Sequence, residues 1–208
     1  MSVEVFDFAQ GSDEWVAARI GLPTASRFSE ILAKGEGKTR AKYLRELAAE
    51  KARGWGEPDT FTTVHMERGK EMEGEARALY AFTYAAPTLV GFIRNGQKGC
   101  SPDSLVGDAG GLEIKTALGH IQVERMQRNA IPSEHVAQVQ GNLWVAEREW
   151  WDFMSYSPGL RPVVIRVYRD EAYIAQLAKA VDAFNEELEA LVAAVRTYGD
   201  FKAQAVAA

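Results

Sequence analysis

Two short stretches decide how this chain folds: Cys100-Ser101-Pro102-Asp103 and Gly111-Leu112-Glu113-Ile114-Lys115-Thr116. Glu113 stands ten residues after Asp103, and one apolar residue separates it from Lys115. Side chains alternate between the two faces of a β-strand, so Glu113 and Lys115 project to one face while their mostly apolar neighbours rest on a core. The charged face then converges with Asp103. Charges packed together repel or must be desolvated, so such a cluster usually holds a cation and does chemistry.

The spacing of these charges resembles the signature of metal-dependent nucleases of the PD-(D/E)xK superfamily. Pro102-Asp103 supplies its first half and Glu113-Ile114-Lys115 its second. A lone Asp…Glu-x-Lys pattern also arises by chance. Its ordinary alternative is a solvated hairpin with a charge pair along one strand, and the pattern alone leaves both interpretations open.

Cleavage of a phosphodiester needs an in-line water nucleophile and neutralisation of the charge at phosphorus, which one or two Mg²⁺ ions supply when hard oxygen ligands hold them. Asp103 can bridge the metals, Glu113 can coordinate one, and the backbone carbonyl of Ile114 adds another oxygen. Lys115 has no ligand oxygen and instead orients the attacking water or stabilises charge. Glu73 lies on a predicted helix face beside small and aromatic residues. It either completes the metal shell, directly or through water, or is a partly exposed glutamate beside the core.

Length and composition narrow the class of protein. The 208 residues contain no repeat or long linker, so we expect a single nuclease domain over residues 1–208. No apolar run approaches the ~20 residues that cross a bilayer, and the first residues lack a signal-peptide layout, so no membrane association is expected. Cys100 is the only cysteine, which excludes an intrachain disulfide and fits a reducing, cytoplasmic location.

The charge distribution leaves room for a DNA enzyme. A net charge of −5 argues against a protein that coats nucleic acid indiscriminately, but binding depends on where the charge lies. Residues 34–53 carry an excess of four positive charges. Such a run is most often a solvated helix face. The nuclease signature favours a phosphate-facing surface, with Arg45 as a candidate DNA contact.

Hydrophobic periodicity and turn residues predict an α/β fold. Helices are predicted over residues 12–20, 23–32, 40–53, 66–84, from 132 onward and about 170–196; strands over 88–93, 104–107, 111–117, 150–156 and 162–168; a loop over 120–131; and a loose tail after about 201. The order helices, strands, helix, strands, helix indicates a central mixed β-sheet flanked by helices, with the acidic pair on its middle strands.

Five sequence blocks, in order over about residues 11–156, resemble the lambda exonuclease family, also called YqaJ-type viral recombinases or phage alkaline exonucleases. The blocks are Gly11–Trp15 with Arg19–Gly21 and Thr24–Ser26; Gly69–Glu73 with Ala76-Arg77; Cys100–Asp103; Gly111–Lys115; and Ala137–Gln140 with Leu143–Val145. Five blocks in register are far more specific than any one motif. The resemblance implies a restriction-endonuclease-like fold of the lambda exonuclease type.

The resemblance also implies an activity. Family members are processive exonucleases that digest one strand of linear double-stranded DNA from its 5′ end, leaving a 3′ overhang for single-strand-annealing recombination. We therefore expect two Mg²⁺ ions, with Mn²⁺ as an accepted substitute. A homotrimeric ring on double-stranded DNA ends and a single-strand annealing protein as partner are also expected.

Site residues follow by position in the matching blocks. The resemblance assigns Asp103, Glu113 and Lys115 to the catalytic trio, Glu73 to the helix carboxylate, and Gln138 to a glutamine that contacts the site or the scissile strand. It also implies that three further residues, Arg19, Ser26 and Ser101, bind the 5′-terminal phosphate. A guanidinium fork and hydroxyls near a helix N-terminus suit a dianion. Arg125, in the predicted loop, is a further candidate DNA contact.

Two other functions are compatible with parts of the sequence. An endonuclease of the same superfamily, such as a restriction enzyme or junction resolvase, shares the trio but needs no 5′-phosphate pocket, so Arg19 and Ser26 discriminate against it. A catalytically silent DNA-binding module has no use for Asp103, Glu113 and Lys115 together.

Overall fold

The computed structural model describes residues 2–33, 37–56 and 64–199, with only the course of the backbone for residues 64–71. The α-helices in these ranges are α1 Asp13–Arg19, α2 Phe28–Ile31, α3 Lys38–Arg53, α4 Val64–Thr83, α5 Gly119–Arg128, α6 Ser133–Ala146 and α7 Glu171–Arg196. The strands are β1 Val3–Phe6, β2 Pro87–Thr88, β3 Phe92–Asn95, β4 Gly99–Cys100, β5 Ser104–Val106, β6 Gly110–Thr116, β7 Trp150–Tyr156 and β8 Val163–Tyr168. None of the described helices is long and apolar enough to cross a membrane.

Five strands form a mixed sheet in the order β2-β5-β6-β7-β8. β6 runs parallel to β7, and the other neighbouring pairs are antiparallel. β6, which carries Glu113 and Lys115, is the central strand, and Asp103 immediately precedes the neighbouring β5. The predicted fold class, a central mixed sheet flanked by helices with the acidic pair on its middle strands, is confirmed.

The two faces of β6 meet different layers of the molecule. Leu112 and Ile114 pack in one apolar cluster with Tyr80 of α4. Phe153, the neighbour of Glu113 in the β6–β7 register, belongs to a larger cluster with residues of α2, α3, α6 and α7. The predicted alternation along residues 112–116 therefore holds, because the apolar side chains go to α4 and the charged ones to the face below α6.

The predicted single strand over residues 88–93 is wrong. The segment divides between two sheets, since β2 pairs with β5 whereas β3 joins a separate three-stranded sheet of order β1-β3-β4. The crossing point is Gly91, whose N–H donates to the carbonyl oxygen of Phe6 at 2.9 Å. A Cβ atom at this position would collide with the backbone of Phe8, so the close approach of the chains requires glycine here.

The predicted loop over residues 120–131 is also wrong, because α5 occupies most of it. Its anchor is the buried Gln122, whose amide nitrogen donates to the carbonyl oxygens of Ser155 at 3.2 Å and Arg161 at 2.8 Å. The apolar Val123 and Met126 are exposed. The hydrogen bonds from α5 to the sheet are made by polar side chains, and the only buried residue of this described helix is polar.

The helix predicted over residues 23–32 begins too early, because α2 covers only Phe28–Ile31 and a 3₁₀ turn over Ala25–Arg27 precedes it. The other predicted helices and strands agree with the structure to within about two residues at each end, which is the usual uncertainty of such boundaries. The long C-terminal helix, predicted over about 170–196, is α7. It begins at Asp170, whose carboxylate accepts the N–H of Tyr173 at 3.0 Å. The loose tail predicted after about residue 201 lies outside the described residues. The single-domain assignment of residues 1–208 stays a prediction.

Candidate active site

Asp103 and β6 are joined by a backbone contact. Ser104, the residue after Asp103, pairs with Leu112 in the β5–β6 register. This register places the Asp103 carboxylate over the backbone of β6, where its Oδ2 accepts the N–H of Ile114 at 2.5 Å. The spacing of ten residues between Asp103 and Glu113 thus brings the two carboxylates to the same part of the sheet.

Glu113 is the most enclosed charged group of this site, with 2% of its surface exposed. Its Oε1 accepts hydrogen bonds from Lys115 Nζ at 2.6 Å and from Gln138 Nε2 at 2.6 Å. Its Oε2 accepts one from Asn142 Nδ2 at 3.1 Å. The buried carboxylate is therefore stabilised by one cation on its own strand and two amides of α6.

The electrostatics of the site favour a cation. Burial, reinforced by the negative charges of Glu113 and Glu73, raises the pKa of Asp103 well above its ordinary value. Burial alone would lower the pKa of Lys115, but the charge and hydrogen bond of Glu113, together with Asp103, outweigh it and raise that pKa. Three carboxylates thus lie near Lys115, and a divalent cation would relieve the repulsion that Asp103 experiences from the other two.

Glu73 approaches this site from α4. It forms a salt bridge with Arg77, one turn later on the same helix. Arg77 Nε also donates to Ser104 Oγ at 3.2 Å, and Ser104 Oγ donates to the carbonyl oxygen of Asp103 at 2.5 Å. Arg77 therefore connects the helix carboxylate to the segment that carries Asp103.

The donor set suits a hard divalent cation. Asp103, Glu113 and Glu73 offer carboxylate oxygens, and Ile114 offers a backbone carbonyl, which are the ligand types that Mg²⁺ and Mn²⁺ take. No ready-made cluster of three or more metal-ligating His, Cys, Asp or Glu side chains occurs in the described parts of the chain. Each carboxylate instead binds a donor from the protein. Asp103 accepts the Ile114 N–H, Glu113 pairs with Lys115, and Glu73 pairs with Arg77.

A second polar cluster lies at the other end of the Cys100–Asp103 segment. Arg19 Nη1 donates to Ser101 Oγ at 2.7 Å, and the guanidinium carbon lies 3.9 Å from the ring centre of Trp15. Trp15 Nε1 donates to the same Ser101 oxygen at 3.1 Å. Burial lowers the pKa of Arg19. Within the described ranges Arg19 forms no salt bridge. The half-buried guanidinium of Arg19 therefore contacts the hydroxyl of Ser101, and Ser101 is two residues before Asp103 in the chain.

A family model for the YqaJ-like viral recombinase domain matches residues 14–149, well over half of the chain. The chain belongs to this family. The predicted resemblance to the lambda exonuclease family is therefore confirmed. Two crystal structures of the alkaline exonuclease LHK-Exo from Laribacter hongkongensis, one in complex with dAMP, match with TM-scores of 0.83. They are 33% and 34% identical to this chain and cover 91% of it, and it covers 98% of each.

Two further proteins are similar to this chain, one in fold and one over part of the sequence. A phage-related exonuclease from Haemophilus somnus 129PT shares the fold, with a TM-score of 0.64 at 16% identity over 84% of this chain and 96% of that chain. An uncharacterised Escherichia coli (strain K12) protein, ExoD, is 37% identical over 71 residues, which are 32% of this chain and 79% of that protein.

Not every predicted site residue of this YqaJ-like chain is brought to the two clusters. Ser26 is exposed in the turn before α2, where its Oγ lies 3.4 Å from Thr24 Oγ1. Thr24 forms a bridge with Gly99, which places Ser26 near the strand before Ser101, although no hydrogen bond between Ser26 and Ser101 occurs among the described residues. Arg45 is exposed on α3, and no recorded contact joins it to either cluster in the described ranges.

Arg125 lies closer to the acidic site than a loop position suggested. It projects from α5, and its Nη1 donates to Ser155 Oγ at 2.9 Å. Ser155 pairs with Lys115 in the β6–β7 register. Burial lowers the pKa of Arg125. The arginine therefore stands one strand away from Lys115.

Two ring side chains lie beside these clusters. Trp15 contributes both its indole N–H and its ring to the Arg19–Ser101 cluster. His135 is half-buried on α6, with its ring 5.2 Å from that of Phe153. Burial, with the positive charges of Lys115 and Arg125, lowers the pKa of His135 to about 4.

Asn142 is the site residue that sequence reasoning missed. It lies on α6 four residues after Gln138, so the two amides share the helix face that meets Glu113. The available signal was a polar residue at i+4 from a family glutamine, inside an otherwise buried and mostly small or apolar stretch, 137–143.

Proposed function

We propose that this chain is a Mg²⁺-dependent exonuclease that degrades one strand of linear double-stranded DNA from the 5′ end. Membership of the YqaJ-like viral recombinase family and 33% identity to an alkaline exonuclease over 91% of the chain support a nuclease role. The related LHK-Exo was crystallised with dAMP, a nucleoside monophosphate of the kind that an exonuclease releases. The 5′-to-3′ polarity and the use of Mg²⁺ are proposed in addition to this nuclease role.

The acidic cluster is proposed as the cleavage site. Asp103, Glu113 and the carbonyl of Ile114 would hold the metal, with Glu73 completing the shell directly or through water. The bound metal would activate a water molecule and neutralise charge on the phosphate. Lys115 Nζ, 2.6 Å from Glu113 Oε1, presents its remaining protons to the attacking water or to a phosphate oxygen. Its raised pKa keeps it protonated for that role.

One observation carries the proposed polarity. The Arg19–Ser101 cluster lies two residues from Asp103, which is at most about 7 Å of extended chain. A guanidinium beside a hydroxyl suits a terminal phosphate, which carries about two negative charges and offers three acceptor oxygens. A phosphate held there would leave the first phosphodiester of the strand near the acidic cluster. An endonuclease has no need of such a pocket.

We extend the proposal to the wider assembly on the basis of family membership. We expect a homotrimeric ring on the DNA end, with two Mg²⁺ ions or Mn²⁺ in each site and action in the cytoplasm. A single-strand annealing protein would receive the 3′ overhang for phage-type recombination. Ser26 would assist at the terminal phosphate, while Arg45 and Arg125 would contact the DNA backbone.

The test uses linear duplexes labelled at the 5′ or the 3′ end, with closed circular DNA as control. With Mg²⁺ present, we expect release of label from the 5′ end as mononucleotide, no attack on circles, and no activity in EDTA. Cleavage of closed circles would favour an endonuclease of the same superfamily. Release from the 3′ end would contradict the proposed polarity.

A further inference from the structure

Asn142 is an amide at a position where its burial carries an unfavourable free energy of desolvation. Only 1% of its surface is exposed, and its neighbours on α6 are buried as well. Transfer of an amide into such surroundings is unfavourable unless hydrogen bonds compensate. The hydrogen bond that compensates Asn142 is its donation to Glu113 Oε2 at 3.1 Å. The identity of this residue is thus explained by the carboxylate and not by core packing.

The two oxygens of Glu113 are not equivalent. Each carboxylate oxygen offers about two lone-pair sites. Oε1 already accepts from Lys115 and Gln138, both at 2.6 Å, so its sites are filled. Among the described residues, Oε2 accepts a hydrogen bond only from Asn142. One acceptor site of Glu113 therefore remains available to a ligand, and this site is on Oε2.

We propose that Asn142 is a positioning residue that fixes Glu113 so that Oε2, and not Oε1, faces the metal. The inference rests on the proposed metal-dependent function and deepens it. Lys115 and Gln138 hold Oε1, and the hydrogen bond from Asn142 to Oε2 further opposes rotation of the carboxylate about its last bond. Loss of the donor weakens cation binding without removing any ligand atom.

Gln140 supplies a matched control on the same helix. It is a buried amide two residues before Asn142, and it also forms hydrogen bonds with the protein: its Nε2 donates to the carbonyl oxygen of Tyr168 at 2.9 Å, and its Oε1 accepts the N–H of Asp170 at 3.0 Å. These contacts hold the start of α7 and do not involve the acidic site. Gln140→Leu therefore reproduces the structural cost of losing a buried amide.

The experiment measures Mn²⁺ binding to the full chain without DNA, from the electron paramagnetic resonance signal of free Mn²⁺. We expect Asn142→Leu to bind Mn²⁺ about 10–100-fold more weakly than the wild type, as is usual for residues that orient a ligand. Gln140→Leu should bind like the wild type. Thermal melting gives a second readout: both variants lose stability without metal, but only Asn142→Leu loses part of the additional stabilisation by Mn²⁺.

Each outcome decides the matter. Equal affinities for the wild type and Asn142→Leu overturn the inference and leave the proposed function intact. An equal loss in both variants also overturns it, because the effect would then be structural. Absence of Mn²⁺ binding by the wild type overturns the metal dependence and this inference with it. Should a leucine variant fail to fold, Asn142→Ala and Gln140→Ala form the same comparison.

Discussion

Gln138 Nε2 lies 2.6 Å from Glu113 Oε1, so helix α6 is hydrogen-bonded directly to the central strand of the sheet. The contact joins the fourth and fifth sequence blocks of the family at one carboxylate. It also explains why a helix late in the chain belongs to a site whose charges come from strands. The position of α6 therefore sets the orientation of the buried glutamate, and a change in one affects the other.

Replacement of Gln138 should impair chemistry more than folding. Gln138→Leu removes one of three donors to Glu113, and we expect the cleavage rate to fall about 10–100-fold, as for other residues that orient metal ligands. Single-turnover cleavage of linear duplex DNA measures the effect. Gln127→Leu, an exposed glutamine on α5, is the control. An unchanged cleavage rate in Gln138→Leu would contradict a role of Gln138 in orienting Glu113.

Replacement of Arg19 should remove the discrimination between DNA ends. A hydrogen bond to a charged group contributes about 1.5–3 kcal/mol, so Arg19→Met should lower kcat/KM on 5′-phosphorylated ends about 10–100-fold and leave 5′-hydroxyl ends nearly unaffected. Competition between the two substrates measures the ratio. Arg94→Met, at an exposed arginine of β3, should preserve the ratio. A preference that survives in Arg19→Met would place the phosphate pocket elsewhere.

A buried network fixes α4 to the sheet, and its loss should cost stability. Tyr80 Oη donates to Asp152 Oδ2 at 2.6 Å, and Arg166 binds both oxygens of that carboxylate at 2.9 Å. Tyr80→Phe should lower the free energy of unfolding by about 1–3 kcal/mol, measured by urea denaturation. Tyr84→Phe changes an exposed tyrosine in the turn just after α4 and should stay within about 0.5 kcal/mol. Equal effects would contradict the network's role.

Acid should destabilise the fold through His135. The pKa of this side chain is lowered from 6.5 to about 4, first by burial and then by Lys115 and Arg125. Between pH 6.5 and 4 the unfolded chain therefore binds more protons at this residue than the folded chain, and stability falls as the pH falls. We expect His135→Gln to reduce the decline of the melting temperature across this window.

His120 provides the comparison for that titration. It is exposed on α5, so His120→Gln should follow the wild-type dependence on pH. A wild-type melting temperature that is as flat as that of His135→Gln between pH 6.5 and 4 would show that burial does not keep His135 neutral.

The parts of the site that sequence could predict are those with a local signature. The alternation of apolar and charged residues around Glu113 placed it on a strand with two different faces, and the structure agrees. The spacing to Asp103 was recognisable because two neighbouring antiparallel strands with a short connection give it. Arg19 and Ser101 were found through the order of the family blocks, and they lie in hydrogen-bond contact.

The parts that were missed depend on contacts far apart in sequence. Gln122 holds α5 through carbonyl oxygens more than 30 residues away, so no local pattern marked the helix. Gly91 passes between two sheets because of a backbone contact with the segment near Phe8. Asn142 is an ordinary polar residue until Glu113 is placed beneath it. Tertiary partners decided each of these cases, and local propensity did not.

The most direct measurement of the central claim is the Mg²⁺-dependent release of the 5′-terminal nucleotide from linear duplex DNA by Asp103→Asn and by the wild type. The asparagine keeps an oxygen that can accept the Ile114 N–H, so the fold should persist while a negative metal ligand is lost. We predict a rate at least about a thousandfold lower, equivalent to about 4 kcal/mol, with DNA binding retained. A variant that folds and still cleaves at the wild-type rate would contradict the assignment of this site.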